Sequence, residues 1–212
     1  MSAVAIGSTA GGRSLLPLWL MVAVFALPVV AGWILYLNPE LLPARRVNRG
    51  ELIEPVRAWP PTLPLVRADG TAFDIASLRG RWVLLTAARA PCDDRCVARL
   101  AELRQIRLAL GEGGLAVERL LVLAGDARGA APSADALGGA ELARLGDEAV
   151  LPLETLLGPG EDIWDRVYVV DPLGNLMMRY AADAPAKDVL KDTERLLKAS
   201  RNWIKGAGYG HR

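Results

Sequence analysis

Apolar and polar positions divide the chain into two unlike parts. Leu15 to Leu37, LLPLWLMVAVFALPVVAGWILYL, runs 23 residues without a charge, and no polar face interrupts it. As a helix rising about 1.5 Å per residue it covers roughly 34 Å, enough to cross a hydrocarbon core of about 30 Å. Trp19 lies near one end, and Trp33 and Tyr36 near the other, where aromatics anchor a span at the membrane surface. Pro17 falls in the first turn, and Pro28 predicts a kink. A cleaved signal peptide is the alternative. Its apolar core would be about twice the usual length, and no small-x-small site precedes Asn38. The segment therefore reads as one uncleaved transmembrane helix at 15–37 behind a short tail at 1–14.

The remainder alternates strand and helix signals. Residues 38–62 carry Pro39, Pro43, Pro55, Pro60 and Pro61, which predicts an extended, semi-rigid stalk. From 63 to 205 one domain is expected. LPLVRADGTAFDI suggests a short hairpin turning at Asp69-Gly70. Trp82–Ala88 is a short apolar run, as in a strand buried on both faces. Apolar residues at Val97, Leu100, Leu103, Ile106 and Leu110 make a helical stripe over Cys92–Leu110 that stops at Gly111. Val117–Gly125 reads as a second buried strand, and Ala134–Leu145 as a helix between Gly- and Ala-rich loops. Arg166–Asp171 and Leu176–Ala181 flank the turn Pro172-Leu173-Gly174-Asn175 and predict a β-hairpin. An amphipathic helix over Ala186–Trp203 closes the domain, and 206–212 is a Gly-rich tail. The order ββ-(βα)-(βα)-ββα resembles a thioredoxin-like α/β sandwich, a central mixed sheet flanked by helices, behind one N-terminal transmembrane helix.

Composition removes several function classes. Twenty-five Lys+Arg against 24 Asp+Glu give a net charge of +1, too little for a nucleic-acid binder driven by bulk electrostatics. The single histidine, His211, stands next to the C-terminus, which excludes His-rich zinc sites and a Ser-His-Asp triad. It reads as a solvated terminal residue. Mean hydropathy is +0.23, and the apolar segment carries the excess. Charge alone leaves orientation open. Arg13 stands before the segment and Arg45, Arg46 and Arg49 after it, yet a large domain translocates largely regardless of flanking charge.

The reactive chemistry converges on Ala90-Pro91-Cys92-Asp93-Asp94-Arg95-Cys96, which holds the only two cysteines. A helix N-terminus favours thiolate over thiol. Asp93 and Asp94 oppose that, and Arg89, Arg95 and Arg99 support it, so the net effect stays open. Residues four apart in a regular helix have Cβ atoms about 5–6 Å apart, beyond the roughly 3.5–4.5 Å of a disulfide. The pair bridges only if Cys92 lies at or before the helix start, which Pro91 favours. The looser spacing also suits Cu(I) held between two sulfurs. The plain alternative is two small apolar core residues. Met177 and Met178 would face opposite sides of a strand and read as packing. Asp162 and Asp165 beside Trp164 read as a surface loop.

Asp69-Gly70, Ser77-Leu78-Arg79-Gly80-Arg81-Trp82, the C-x-x-x-C of Cys92 and Cys96, Tyr168 and Asp171-Pro172-Leu173-Gly174 together resemble the Sco/SenC family. These are membrane-anchored thioredoxin-like proteins implicated in assembling the binuclear copper site of cytochrome c oxidase. The resemblance implies a single-pass protein of the bacterial inner membrane, with residues 1–14 cytoplasmic and the domain facing the periplasm. It implies an accessory assembly factor rather than a turnover enzyme. Cys92 would be the attacking thiolate and Cys96 the resolving thiol, or the two would hold Cu(I) transiently. Its partner would be cytochrome c oxidase subunit II or another assembly factor, with no nucleic acid. The chain departs from the family at one point. The family's copper-ligand histidine, eight residues before Asp171, falls on Ile163, and the window Gly160–Arg166 contains no histidine. No proline stands before Val167 either, where thioredoxins carry a cis-proline. Two further readings stay open: a scaffold that retains the fold without chemistry, and a general extracytoplasmic thiol-disulfide reductase.

Overall fold

A computed structural model of the chain describes residues 15–38, 48–125, 131–158 and 162–206, with side chains through Ser200. It comprises two units, Met1–Arg46 and Val47–Arg212. In the first, α1 (Leu16–Leu37) is one helix that runs through Pro28 and buries no side chain of its own. It is long and apolar enough to cross a membrane.

The second unit is built on a seven-stranded mixed sheet. Its strands are β1 (Glu51–Ala58), β2 (Leu65–Val66), β3 (Trp82–Arg89), β4 (Val117–Ala124), β5 (Glu141–Leu145), β6 (Val167–Val170) and β7 (Asn175–Tyr180), in the order β1-β7-β6-β3-β4-β5-β2. The helices are α2 (Asp94–Ala109), α3 (Ala134–Leu137), α4 (Val150–Leu157) and α5 (Ala186–Gly206). β3, β4 and β5 run parallel, while β6, β7, β1 and β2 pair antiparallel with their neighbours.

Strand periodicity sorts the core into two sides. Val83, Leu85 and Ala87 of β3 and Leu120, Val122 and Ala124 of β4 face one side, where Leu153, Leu156 and Leu157 of α4 cover them. Trp82 and Leu84 of β3 face the other, beneath Leu103 and Ile106 of α2 and Val189 of α5. Both faces of β3 are therefore covered, and its one exposed residue is the last, Arg89. That is the burial expected of a continuous apolar run.

Three local expectations need correction. Residues 51–58, expected in the stalk, form edge strand β1 on β7. Pro55 is accommodated because an edge strand can spare a donor, and the register shifts between Leu52 and Arg57. The predicted helix over Ala134–Leu145 is one turn, ended by Gly138 and Gly139 at φ 52° and 84°. Glu141–Leu145 then joins the sheet as β5, parallel to β4. Helix α4 stands where no helix was expected. The hairpin at Asp69-Gly70 is short: β2 has two residues and meets Ala72 through one bridge.

Candidate functional site

The two cysteines sit where β3 hands the chain to α2. Ala90 donates its N–H to Ala124 O at 2.7 Å, which ties the exit of β3 to the end of β4. The Ala90–Pro91 peptide is cis, and Cys92 follows outside the helix. Asp93 is the N-cap, and its Oδ1 accepts the Cys96 N–H at 2.9 Å. This satisfies one of the donors a helix start leaves open. With Cys92 before the cap, the sulfurs reach each other: Cys92 and Cys96 form a disulfide with Cα atoms 5.4 Å apart. The two are unequally placed. Cys96 is 2% exposed, packed with Ala88, Leu100, Leu121, Leu123 and Leu142, whereas Cys92 is only partly buried at the edge of that cluster.

The segment before β6, expected as a plain surface loop, lies over this mouth. Asp165 has φ 58°, and its backbone is pinned from both sides. Its N–H donates to Ala87 O at 2.9 Å, and its carbonyl accepts from Arg99 Nε at 3.1 Å. Arg99 also pairs with Glu102 and donates to Ala182 O. The Arg89 guanidinium lies over the Trp164 ring, 4.4 Å from its centroid. These side chains bound two hollows around the β3–α2 junction. One, of about 630 Å³, is walled by Arg95, Arg99, Glu102, Trp164, Asp165 and Asp183. The other, of about 260 Å³, is walled by Arg89, Pro91, Asp93, Trp164 and Asp165 among others. Burial pushes the Asp165 carboxyl above its ordinary range and the Asp93 charge adds to this, while Arg99 and Arg95 oppose it. Sequence spacing could not join 162–165 to 92–96, because only the sheet order that places β6 beside β3 does so.

The position expected of a third copper ligand is closed. Ile163 is 1% exposed and packs into the core on the α4 side, a different cluster from the one holding the cysteines. Its carbonyl accepts the Tyr168 hydroxyl at 3.1 Å. Among the described residues no group of three or more His, Cys, Asp or Glu is arranged to hold a metal ion. Met178 is buried, and its sulfur accepts from the Tyr180 hydroxyl at 3.0 Å. His211 lies outside the described residues.

The sequence family described as transmembrane-like, thioredoxin-like, C-terminal domain matches residues 82–200. The chain belongs to this family. The matched stretch of this transmembrane-like, thioredoxin-like family begins at β3 and takes in the cysteines, the Asp165 segment and most of α5. Solved structures add the fold. Apo Sco1 from Thermus thermophilus is 20% identical, with 73% of this chain and 99% of that one covered at a TM-score of 0.53. Yeast Sco1 with copper bound is 17% identical, with 68% and 90% covered at 0.52. Arabidopsis thaliana ScoI with copper bound is also 17% identical, with 65% and 95% covered at 0.50. The family member described here thus has the thioredoxin-like fold seen in Sco proteins. No curated protein matches it in sequence.

Proposed function

We propose that this chain is a membrane-anchored, Sco-type protein that serves cytochrome c oxidase assembly on the periplasmic side of a bacterial inner membrane. Its Cys92–Cys96 pair cycles between disulfide and dithiol. The observation that carries this reading is the bridge itself, with one sulfur reachable and one sealed. In the reduced form the Cys92 thiolate attacks a disulfide of the partner, forming a mixed disulfide and releasing one partner thiolate. Cys96 then attacks the Cys92 sulfur, frees the second partner thiolate and closes the intramolecular bridge. Two electrons pass to the partner, and a membrane-associated dithiol reductant must return two to this chain. The partner is oxidase subunit II or another assembly factor. A disulfide at this position suits an oxidising compartment, which supports a domain outside the cytoplasm.

Copper does not fit as a resident ion, since Ile163 fills the third-ligand position from within the core. Only the reduced sulfurs remain as donors. Copper enters this reading solely as Cu(I) cargo between them, and no step passes through it.

The test is redox potentiometry on the full chain in detergent, with iodoacetamide trapping of single-cysteine variants. The expected result is a reversible two-electron couple, with Cys92 in a Cys96→Ser variant alkylated at least about ten-fold faster than Cys96 in Cys92→Ser. A disulfide that cannot be reversibly reduced would overturn the redox reading. So would full oxidase assembly in cells carrying both serine substitutions, which would leave the scaffold reading.

A further inference from the structure

The hollow of about 630 Å³ at the β3–α2 junction is acidic once its internal pairing is counted. Its walls include the apolar Ala98 of α2, Ala182 and the partly buried Trp164, with charged residues among them. Arg99 is spent internally. Its Nε donates to Asp165 O, Nη1 pairs with Glu102, and Nη2 donates to Ala182 O. Arg99 and Glu102 thus cancel, and among the described residues of the lining Arg95 is left against Asp162, Asp165 and Asp183. Asp162 Oδ1 accepts the Trp164 N–H at 3.1 Å, which leaves its charge in place. Asp183 is exposed and makes no ion pair or side-chain hydrogen bond with the described residues. Burial raises the Asp165 carboxyl above its ordinary range, and Asp93 and Asp162 add to this against Arg99 and Arg95. A cation in the hollow would relieve that repulsion between carboxylates.

The hollow also lies close along the chain to the bridge. Arg95 adjoins Cys96. The second hollow shares Trp164 and Asp165, and it is walled by Pro91 and Asp93, the residues on either side of Cys92. Consecutive Cα atoms are about 3.8 Å apart, so a partner segment whose cysteine meets the Cys92 sulfur carries its neighbouring side chains towards these walls. The carboxyls are not gathered for a metal ion: no group of three or more His, Cys, Asp or Glu among the described residues is so arranged. Apolar walls with carboxyls among them suit a long cationic side chain, whose methylene stem packs while its head stays with the charges.

We propose that this hollow receives a lysine or arginine side chain of the partner protein, a selectivity that rests on the exchange proposed for Cys92–Cys96. The chain then prefers disulfides flanked by positive charge and disfavours those flanked by carboxylates. Complementary charge of this kind acts mainly on the rate of encounter and on the choice of partner, and salt weakens it.

The test uses the reduced full chain in dodecyl maltoside, freed of reductant, and two synthetic peptides with the same intramolecular disulfide. One peptide is flanked by two lysines and the other by two glutamates. Oxidation of the chain is followed by acid quenching, thiol alkylation and mass measurement. At about 20 mM salt the lysine peptide should react at least about five-fold faster than the glutamate peptide, and the advantage should shrink at about 500 mM. In the double variant Asp162→Asn, Asp183→Asn the ratio should fall to within about two-fold. Both positions are exposed, and asparagine at 162 keeps an acceptor for the Trp164 N–H, so the fold should stand. If the two peptides react alike, or if the preference survives in the double variant, the exchange holds and the hollow does not select the partner. If neither peptide nor hydroxyethyl disulfide oxidises the chain, the exchange reading fails and the selectivity falls with it.

Discussion

Asp192 offers the sharpest test of how the domain is assembled. It lies in α5, 2% exposed, and its Oδ2 accepts from Arg49 N at 2.7 Å, Gly50 N at 2.9 Å and the Tyr180 hydroxyl at 3.1 Å. Arg195 sits 3.3 Å from the other oxygen. One carboxylate thus fastens the segment entering β1 to the last helix and to β7. Gly50 must be glycine for this, since a Cβ there would stand 2.7 Å from the Tyr180 ring and 2.8 Å from the Met178 sulfur. Asp192→Ala strands two backbone N–H groups, while the Tyr180 hydroxyl keeps the Met178 sulfur as an acceptor. At about 1–3 kcal/mol for each unmet donor, and with water reaching Arg49 N in part, the loss should be about 2–4 kcal/mol. That is a large share of the roughly 5–15 kcal/mol that hold a domain folded. Asp192→Asn keeps an acceptor and should lose about half as much. The control is Asp188→Ala, which removes the more exposed partner of Arg49 and should cost under about 1 kcal/mol. The assay is urea unfolding of the full chain in detergent, followed by tryptophan fluorescence. A loss for Asp192→Ala no larger than that of the control would refute the reasoning.

Three further outcomes are expected. Reducing Cys92–Cys96 opens a loop with a sequence separation of 4, and chain entropy predicts a loss of about 2 kcal/mol; an unchanged urea midpoint in dithiothreitol would contradict it. Ile163→His should destabilise the fold by about 2–4 kcal/mol, because it buries an imidazole in the α4-side core. It should also produce no Cu(II)–thiolate absorption, and the appearance of that band would show that the position can reach the sulfurs. Asp165 holds its proton more tightly folded than unfolded, so its stabilising effect is complete below the ordinary carboxylate range and fades as pH rises through its elevated folded value. Between pH 4 and pH 7 the wild type should therefore lose stability relative to Asp165→Asn, and parallel urea-stability profiles would rule this out.

Elements with a strong period were legible one at a time. The uncharged run of α1, the apolar runs of β3 and β4, the stripe of α2 and the β6–β7 turn each carry their own signal, since burial on a fixed face imposes it. Legibility failed where neighbours decide. β1 looks like linker because Pro55 and its charged residues suit either role, and only pairing with β7 makes it a strand. Glu141–Leu145 continues a helical pattern, and two glycines with the open edge of β4 turn it into β5.

The site divides in the same way. Residue type and spacing alone singled out Cys92 and Cys96 as the candidate pair, required Cys92 to precede the helix for a bridge, and left the window Gly160–Arg166 without a histidine. These are local matters of covalent reach. Only the tertiary structure decided that Cys96 is sealed while Cys92 is partly exposed, that Asp165 is pinned to the end of β3 and to Arg99 of α2, and that Ile163 packs into a different core cluster. Each depends on which strands lie side by side, and that is settled by burying both faces of one sheet at once.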